Sequence, residues 1–428
     1  MKHEIIFLDT KETEKFLDKE IYNPTCNNWF HEPFMFEFMK EPLKTHNFNL
    51  ELKSFENIDK NKSWFIDMPM FPYTWDNLIR TTEKNLFDCI PSYVLEECIN
   101  GNAYMVFNNQ NETDTNLIFE HFYKIYNKNP IVPLKKILFL SPSKYAKNQY
   151  MTWADEKRIA KENRFHVVYG NHIDLRFNEG DINFWEQAVE IEKSKVFLSL
   201  NRAIRPQRIF LVAALCELGL LDKGNVSLWY NGTKEEFFNE LTTRREFFSY
   251  SDQGKLLYDL IWSGMNKIVD QLPLYIDIKN NLVNPAGFSS SSREMYKETY
   301  FNLTSTTFFF DWQEPCHGWN EKEWKPILAQ QPFILFSRPG ALQAMKDFGI
   351  VTFSKYIDES YDLIKDDVAR FWVILNELQR LCKLSKEELD KIINEIQHIL
   401  KYNFEYTKNK RWDNIFYTGG LKDFIGFL

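Results

Sequence analysis

Glycine is scarce in this chain, 15 in 428 residues, and none of it falls in a phosphate-cradling pattern. There is no Walker A run, no GxGxxG, no GxSxG elbow and no HExxH. Those absences exclude the nucleotide, hydrolase and zinc-protease sites that announce themselves by motif. Cysteine is also sparse: six residues, at 26, 89, 98, 216, 316 and 382, with no CxxC and no paired spacing. Neither a disulfide framework nor a zinc ribbon follows, and free thiols in a reducing compartment are expected. Cys316-His317 has no second ligand pair at zinc spacing. No stretch approaches the roughly 18 apolar residues of a membrane span. The apolar run at residues 5–8 is too short for a secretory leader. A cytoplasmic protein is the expectation. Basic charge is lacking as well: 52 Lys and Arg against 60 Asp and Glu leave a formal charge of −8. That balance argues against a surface dedicated to nucleic acid.

Aromatic bulk is what the chain has in plenty, with 38 Phe, 20 Tyr and 12 Trp. Such a length exceeds what one hydrophobic core usually serves, so two domains are expected. Residues 1–90 give no clear periodicity, being broken by Pro24, Pro33, Pro42, Pro69 and Pro72. From Pro91 the pattern sharpens. A short helix to Ile99 precedes the continuous apolar run Ala103–Phe107, which reads as a buried parallel strand. A helix over 117–126 and strands at 136–140 and 166–169 continue the alternation. A polar stretch, 171–181, separates this from a second series. Strands are expected there at 195–200, 226–229, 332–336 and 350–353. Helices are expected at 206–218, 234–248, 341–348 and 361–381, with a last one opened by the capping box Ser385–Glu388. Strand–helix alternation of this kind implies an α/β fold with mostly parallel sheets. Two Rossmann-type lobes follow, residues 1–190 and 191–428, the second closed by C-terminal helices.

The most informative stretch is Ser199-Leu200-Asn201-Arg202-Ala203-Ile204-Arg205-Pro206-Gln207-Arg208. A buried strand runs into a turn and then a helix start, where unpaired N–H groups and a partial positive charge attract phosphates. Arg202, Arg205 and Arg208 add planar donors for phosphate oxygens. They oppose the preference for acids at that end of a helix, a local cost that an anionic ligand offsets. The plainer reading pairs them with carboxylates of the other lobe. A second stretch is Asn320-Glu321-Lys322-Glu323-Trp324-Lys325-Pro326. Glu321 at a helix start can accept hydrogen bonds from a ribose diol, while Lys322 or Lys325 answers phosphate. A solvated, charged first turn is the alternative.

The run Asn320-Glu321-Lys322-x-Trp324-Lys325-Pro326, followed by Gln331-Pro332-Phe333-Ile334, resembles the Thr-Glu-Lys motif of fucosyltransferase-like enzymes of GT-B fold. It is still more similar to a group of virus-encoded glycosyltransferases. In those, as here, Pro339-Gly340, Gly349–Phe353 and Asp358-Glu359-Ser360-Tyr361-Asp362 come next in order. The similarity covers about residues 195–380. It implies two facing lobes, with a nucleotide-sugar donor on the C-terminal one and a glycan or small-molecule acceptor in the cleft. It implies inverting transfer with no metal or other cofactor, in the host cytoplasm if the chain is viral. Carried over, Glu321 contacts the ribose, Lys322 and an arginine the diphosphate, and Tyr300 belongs with the donor-binding side chains. Two departures stand out: the family's Thr is Asn320 here, and Asn302–Thr307 contains no match for an acid that follows Tyr300.

Inverting transfer needs a general base on the acceptor hydroxyl. Glu112, just beyond the strand at 103–107, is placed where a sheet's carboxyl end faces a cleft; a merely solvated loop glutamate is the alternative. Asp358, Glu359 and Asp362 are read as capping the helix expected to follow them. Two other readings of the chain stay open. One is a glycosyltransferase acting on hydroxylated bases in DNA; the other is a non-catalytic binding or assembly protein on the same scaffold.

Overall fold

The structure, a computed structural model, describes residues 3–8, 48–68, 92–108, 116–127, 130–141, 146–169, 179–186, 191–202, 204–276, 293–310 and 321–410. They divide into two compact units, one within residues 1–175 and one within 176–410. Each is built on its own parallel sheet with helices packed against it, a Rossmann-like α/β arrangement. No described helix is long and apolar enough to cross a membrane.

In the first unit the strands are β1 (His3–Leu8), β2 (Phe48–Lys53), β3 (Trp64–Met68), β4 (Ala103–Asn108), β5 (Ile137–Ser141) and β6 (His166–Tyr169). All pair in parallel, in the order β2-β1-β3-β4-β5-β6. The accompanying helices are α1 (Ser92–Asn100), α2 (Asn116–Tyr126) and α3 (Ala146–Glu156). Strand residues alternate between faces. Met105, Phe107, Ile137 and Phe139 therefore join one cluster with Phe119 and Phe122 of α2 and Tyr150 and Trp153 of α3. Phe165, entering β6, stacks 4.2 Å from Tyr150 and meets Phe122 edge-on at 4.8 Å. Val106 and Leu138, which point the other way, are equally buried. Burial on both faces is why these strands are continuous apolar runs.

The second unit carries α4 (Glu179–Glu186), β7 (Lys195–Ser199), α5 (Pro206–Glu217), β8 (Gly224–Val226), α6 (Lys234–Thr242), α7 (Arg245–Ser249), α8 (Asp252–Ile268), α9 (Arg293–Glu298) and β9 (Thr299–Ser305). It continues with α10 (Glu321–Leu328), β10 (Phe333–Phe336), α11 (Ala341–Phe348), α12 (Asp367–Cys382) and α13 (Lys386–Lys410). Its sheet runs β10-β9-β7-β8, again all parallel. The chain steps from β7 outward to β8, then crosses to the opposite side of β7 to form β9. The strand order thus reverses between β7 and β9, and the carboxyl ends of those two strands flank the crevice where such sheets bind ligands. Helix α5 is buried without a break from Gln207 to Leu215. A Cβ at Gly264 of α8 would fall 1.8 Å from the carbonyl oxygen of Ala213, so α8 and α5 touch through their backbones.

Several elements differ from the sequence-based expectation. The strand expected at 350–353 is an irregular segment outside the sheet. Its amides find other partners: Ile350 donates to the Met345 carbonyl (3.0 Å), Val351 to the Asn403 side chain (2.9 Å) and Phe353 to that of Glu359 (2.6 Å). Strand β8 ends at Val226, and beyond it Leu228 bridges Leu274 in antiparallel fashion. The helix expected over 234–248 breaks at Thr243-Arg244 into α6 and α7. The one expected over 361–381 is a short 3-10 turn, Ser360–Leu363, followed by α12. Asp366 is the N-cap of α12, accepting from the Ala369 amide at 2.7 Å, not a residue of its interior. Asp362 does cap a helix, but a different one. Its two oxygens accept the amides of Leu342 (2.9 Å) and Gln343 (2.8 Å) in α11, whose own N-cap, Gly340, has no side chain to offer. The capping box at Ser385 and Glu388 forms in both directions, at 2.8 and 3.2 Å.

Candidate functional site

The carboxyl end of the second sheet gathers the arginines. Beyond β7, Asn201 is fully buried, and its amide donates to Ser227 Oγ at 2.9 Å. The Asn201 carbonyl accepts from the Trp229 amide at 3.1 Å, so the turn is tied to the exit of β8. Arg202, at the turn's tip, is exposed, and its guanidinium lies 4.8 Å from the centre of the Trp229 ring. Arg205 follows as the N-cap of α5, with Pro206 in the first turn and no side chain capping the helix. An arginine offers no acceptor to the first amides, and the first turn of α5 contains no acid of its own.

Gln207 and Arg208 turn the other way. Gln207 Nε2 donates to the carbonyls of Thr307 (2.6 Å) and Thr306 (3.2 Å). Arg208, 1% exposed, donates from Nη2 to the carbonyls of Thr306 (3.3 Å) and Ser305 (3.4 Å). Together they strap the exit of β9 to the first turn of α5. Arg208 thus differs from Arg202: it is buried and donates to the carbonyls of Ser305 and Thr306 at the exit of β9.

Two further arginines complete the constellation. Arg338, just past β10, is buried and donates to the Phe310 carbonyl at 2.9 Å. Arg370 of α12, wholly buried, pairs with Asp367 and donates to the carbonyls of Ser337 (3.1 Å) and Phe309 (2.5 Å). It also reaches the carbonyl of Ile364 at 2.9 Å. Thr306 Oγ1 donates to the Phe308 carbonyl (2.8 Å) and lies 3.0 Å from Ser337 Oγ, closing the exits of β9 and β10 on each other. Trp229, Phe308, Arg338 and Arg370 were not among the residues singled out from sequence. Arg338 had a readable signal, an arginine directly after a buried strand as at Arg202; Arg370 sits mid-helix and had none.

The remaining expected residues fall elsewhere or outside the described residues. Glu112 and Asn320 lie outside them, as does the side chain of Glu321. Helix α10 links β9 to the parallel β10, so its first turn, with Glu321 and Lys322, belongs to the carboxyl end of the sheet. Trp324 of that helix is buried against Phe348 at 5.3 Å, while Lys322 and Lys325 are half-buried. Tyr300 is a correction. It lies at the amino end of β9, roughly 17 Å along the strand from Ser305. Its ring is buried and its hydroxyl donates to Asp390 at 2.7 Å. Burial, the bond to Asp390 and the nearby Glu192 and Glu387 raise its pKa. Tyr300 therefore cannot share a diphosphate with Arg202.

Chemically, the crevice offers guanidinium donors, the positive end of a helix and two aromatic faces, the features that receive a phosphorylated nucleotide. Among the described residues no group of three His, Cys, Asp or Glu side chains is placed to hold a metal ion. Compared with known proteins, the chain matches no family model and is similar to no curated protein.

Proposed function

We propose that the chain is a nucleotide-sugar-dependent glycosyltransferase of GT-B type that binds the donor at the carboxyl end of its second sheet. The observation that carries this reading is that Arg205 and Arg338 share the ring of Phe308 at the carboxyl end of the sheet, while Arg202, on the ring of Trp229, precedes the start of α5. In this reading the arginines bind the donor's diphosphate and neutralise the charge that develops as it departs, with no metal in the scheme. Glu321 accepts hydrogen bonds from the ribose, and Lys322 and Lys325 add positive charge at the first turns of α10. Glu112 takes the proton from an acceptor hydroxyl on a glycan or small molecule. That oxygen attacks the anomeric carbon as its bond to the diphosphate breaks, inverting the configuration.

A thermal-shift series with UDP, GDP, CMP and dTDP sugars tests donor binding. A ligand at 100 times its dissociation constant adds about 2.7 kcal/mol of stability. Donor hydrolysis in excess EDTA, by wild type and Glu321→Gln, then tests the mechanism. The expected result is activity that survives EDTA and falls in the variant. Stabilisation by no nucleotide, or activity abolished by EDTA and restored by manganese, overturns the reading.

A further inference from the structure

At the amino end of the second sheet, away from the arginine crevice, lies a cavity of about 540 Å³. That is the size of a small-molecule site. Ligands of open α/β sheets bind at the carboxyl end, so the donor reading has no use for it. Its polar wall includes Lys193, just before β7, Lys297 of α9, and the carboxylate residue Glu192; its apolar wall includes Pro332, Ile393 and Leu400. Lys193 Nζ donates to the carbonyls of Thr299 (2.7 Å) and Lys297 (3.0 Å), and Lys297 Nζ to that of Ala329 (3.3 Å). Neither ammonium forms an ion pair with a described residue. The nearby acids are engaged: Asp390 accepts from Tyr300, and Glu192 pairs with Lys386. Burial, and then the charge of Lys297, lower the Lys193 pKa to about 8, against a weaker upward pull from Asp390. Burial and the neighbouring Arg293 lower that of Lys297. Two partly buried cations thus line a cavity of mixed polar and apolar walls, with carbonyl dipoles as their partners.

We propose that this cavity binds a small organic anion, its carboxylate or phosphate head answered by Lys193 and Lys297 and its apolar body laid against Pro332, Ile393 and Leu400. An anion there restores the charge that burial disfavours. Binding therefore draws a proton onto Lys193 near pH 8 and weakens as pH rises and the ammonium is lost. Of the lining residues that could oppose an anion, Glu192 is held in its ion pair with Lys386 and Tyr300 in its bond to Asp390.

Calorimetry with hexanoate and with inorganic phosphate, at pH 7 and pH 9.5, is the test. Binding at pH 7 that weakens about tenfold at pH 9.5, and is lost in Lys193→Met and Lys297→Met, is expected. Hexanoate binding marks a carboxylate head. Phosphate binding that persists in Arg202→Ala/Arg205→Ala marks a phosphate head and separates this cavity from the donor crevice. Should Lys193→Met fail to fold, protection of Lys193 in the wild type from amine acylation, by saturating probe and read by mass spectrometry, reports the same contact. No binding of either probe, unchanged affinity in both folded variants, or no protection overturns the proposal.

Discussion

The guanidinium groups of Arg205 and Arg338 flank a single ring, lying 5.8 and 5.9 Å from the centre of Phe308. One comes from the start of α5 and the other from the exit of β10, while the ring belongs to the segment leaving β9. Each cation–π contact contributes roughly 0.5–2 kcal/mol. The aromatic face partly offsets the repulsion between two like charges, and an anion offsets it further.

The two kinds of arginine in the turn are separable by mutation. Arg202→Ala and Arg205→Ala should each weaken nucleotide binding by about 1.5–3 kcal/mol per charged hydrogen bond lost, with folding little changed. Arg208→Ala should instead lower stability, because the carbonyls of Ser305 and Thr306 lose a buried donor. Nucleotide titration and urea denaturation of the three variants check the contrast. Equal effects of Arg202→Ala and Arg208→Ala on both measurements contradict it.

Asp367 and Arg370 form a buried ion pair beneath the crevice. Asp367→Ala leaves the guanidinium unneutralised and should destabilise the protein by about 3–5 kcal/mol. Replacing both by apolar residues should not restore stability, as it often does for simple pairs. The carbonyls of Phe309, Ser337 and Ile364 would then be buried without their donor. Urea midpoints of the single and double variants measure this; a double variant as stable as wild type argues against it.

The contribution of Lys193 to stability should rise with pH between about 8 and 10. The folded-state pKa of Lys193 is lowered to about 8, whereas an unfolded lysine titrates at about 10.4. Between those values Lys193 is more protonated in the unfolded chain, so its slope of stability against pH is positive. The buried thiols of Cys98 and Cys382 pull the other way: burial raises their pKa values to about 12 and about 11, so the unfolded chain gives up those protons first. Tyr150 and Tyr361, raised likewise by burial, add to that opposing slope above about pH 10. Urea midpoints of wild type and Lys193→Met isolate the lysine: the stability of wild type relative to the variant should grow from pH 8 to pH 10, and a difference that does not change with pH contradicts this.

Elements buried on both faces were the most legible. The runs at β4 and β5 need only their own apolar residues to declare themselves. Strand β9 also lies wholly buried, yet it carries Thr299, Asn302, Thr304 and Ser305. Its burial depends on a partner far along the chain: Gln331 donates to Thr299 Oγ1 at 2.7 Å and accepts from Asn302 Nδ2 at 3.4 Å. No local pattern reveals such bonds. Helix α8 escaped notice because Leu256 and Trp262 stand exposed on it, blurring its apolar stripe. The turn at Arg202 was readable because strand, arginine and helix-starting proline are contiguous. Tyr300 was misplaced because a motif landmark names a strand without saying which of its ends faces the site.

The backbone contact between Gly264 and Ala213 has a mechanical meaning. Helix α5 is locked at mid-length by α8 and at its first turn by the strap from Gln207 and Arg208 to β9. Both ties oppose sliding or rolling of the helix toward a ligand. Of the three arginines that follow β7, Arg208 is fixed with the helix, Arg205 is half-buried at its start, and Arg202 is exposed. Freedom to move onto a bound anion therefore falls off along the stretch, greatest at Arg202 and least at Arg208.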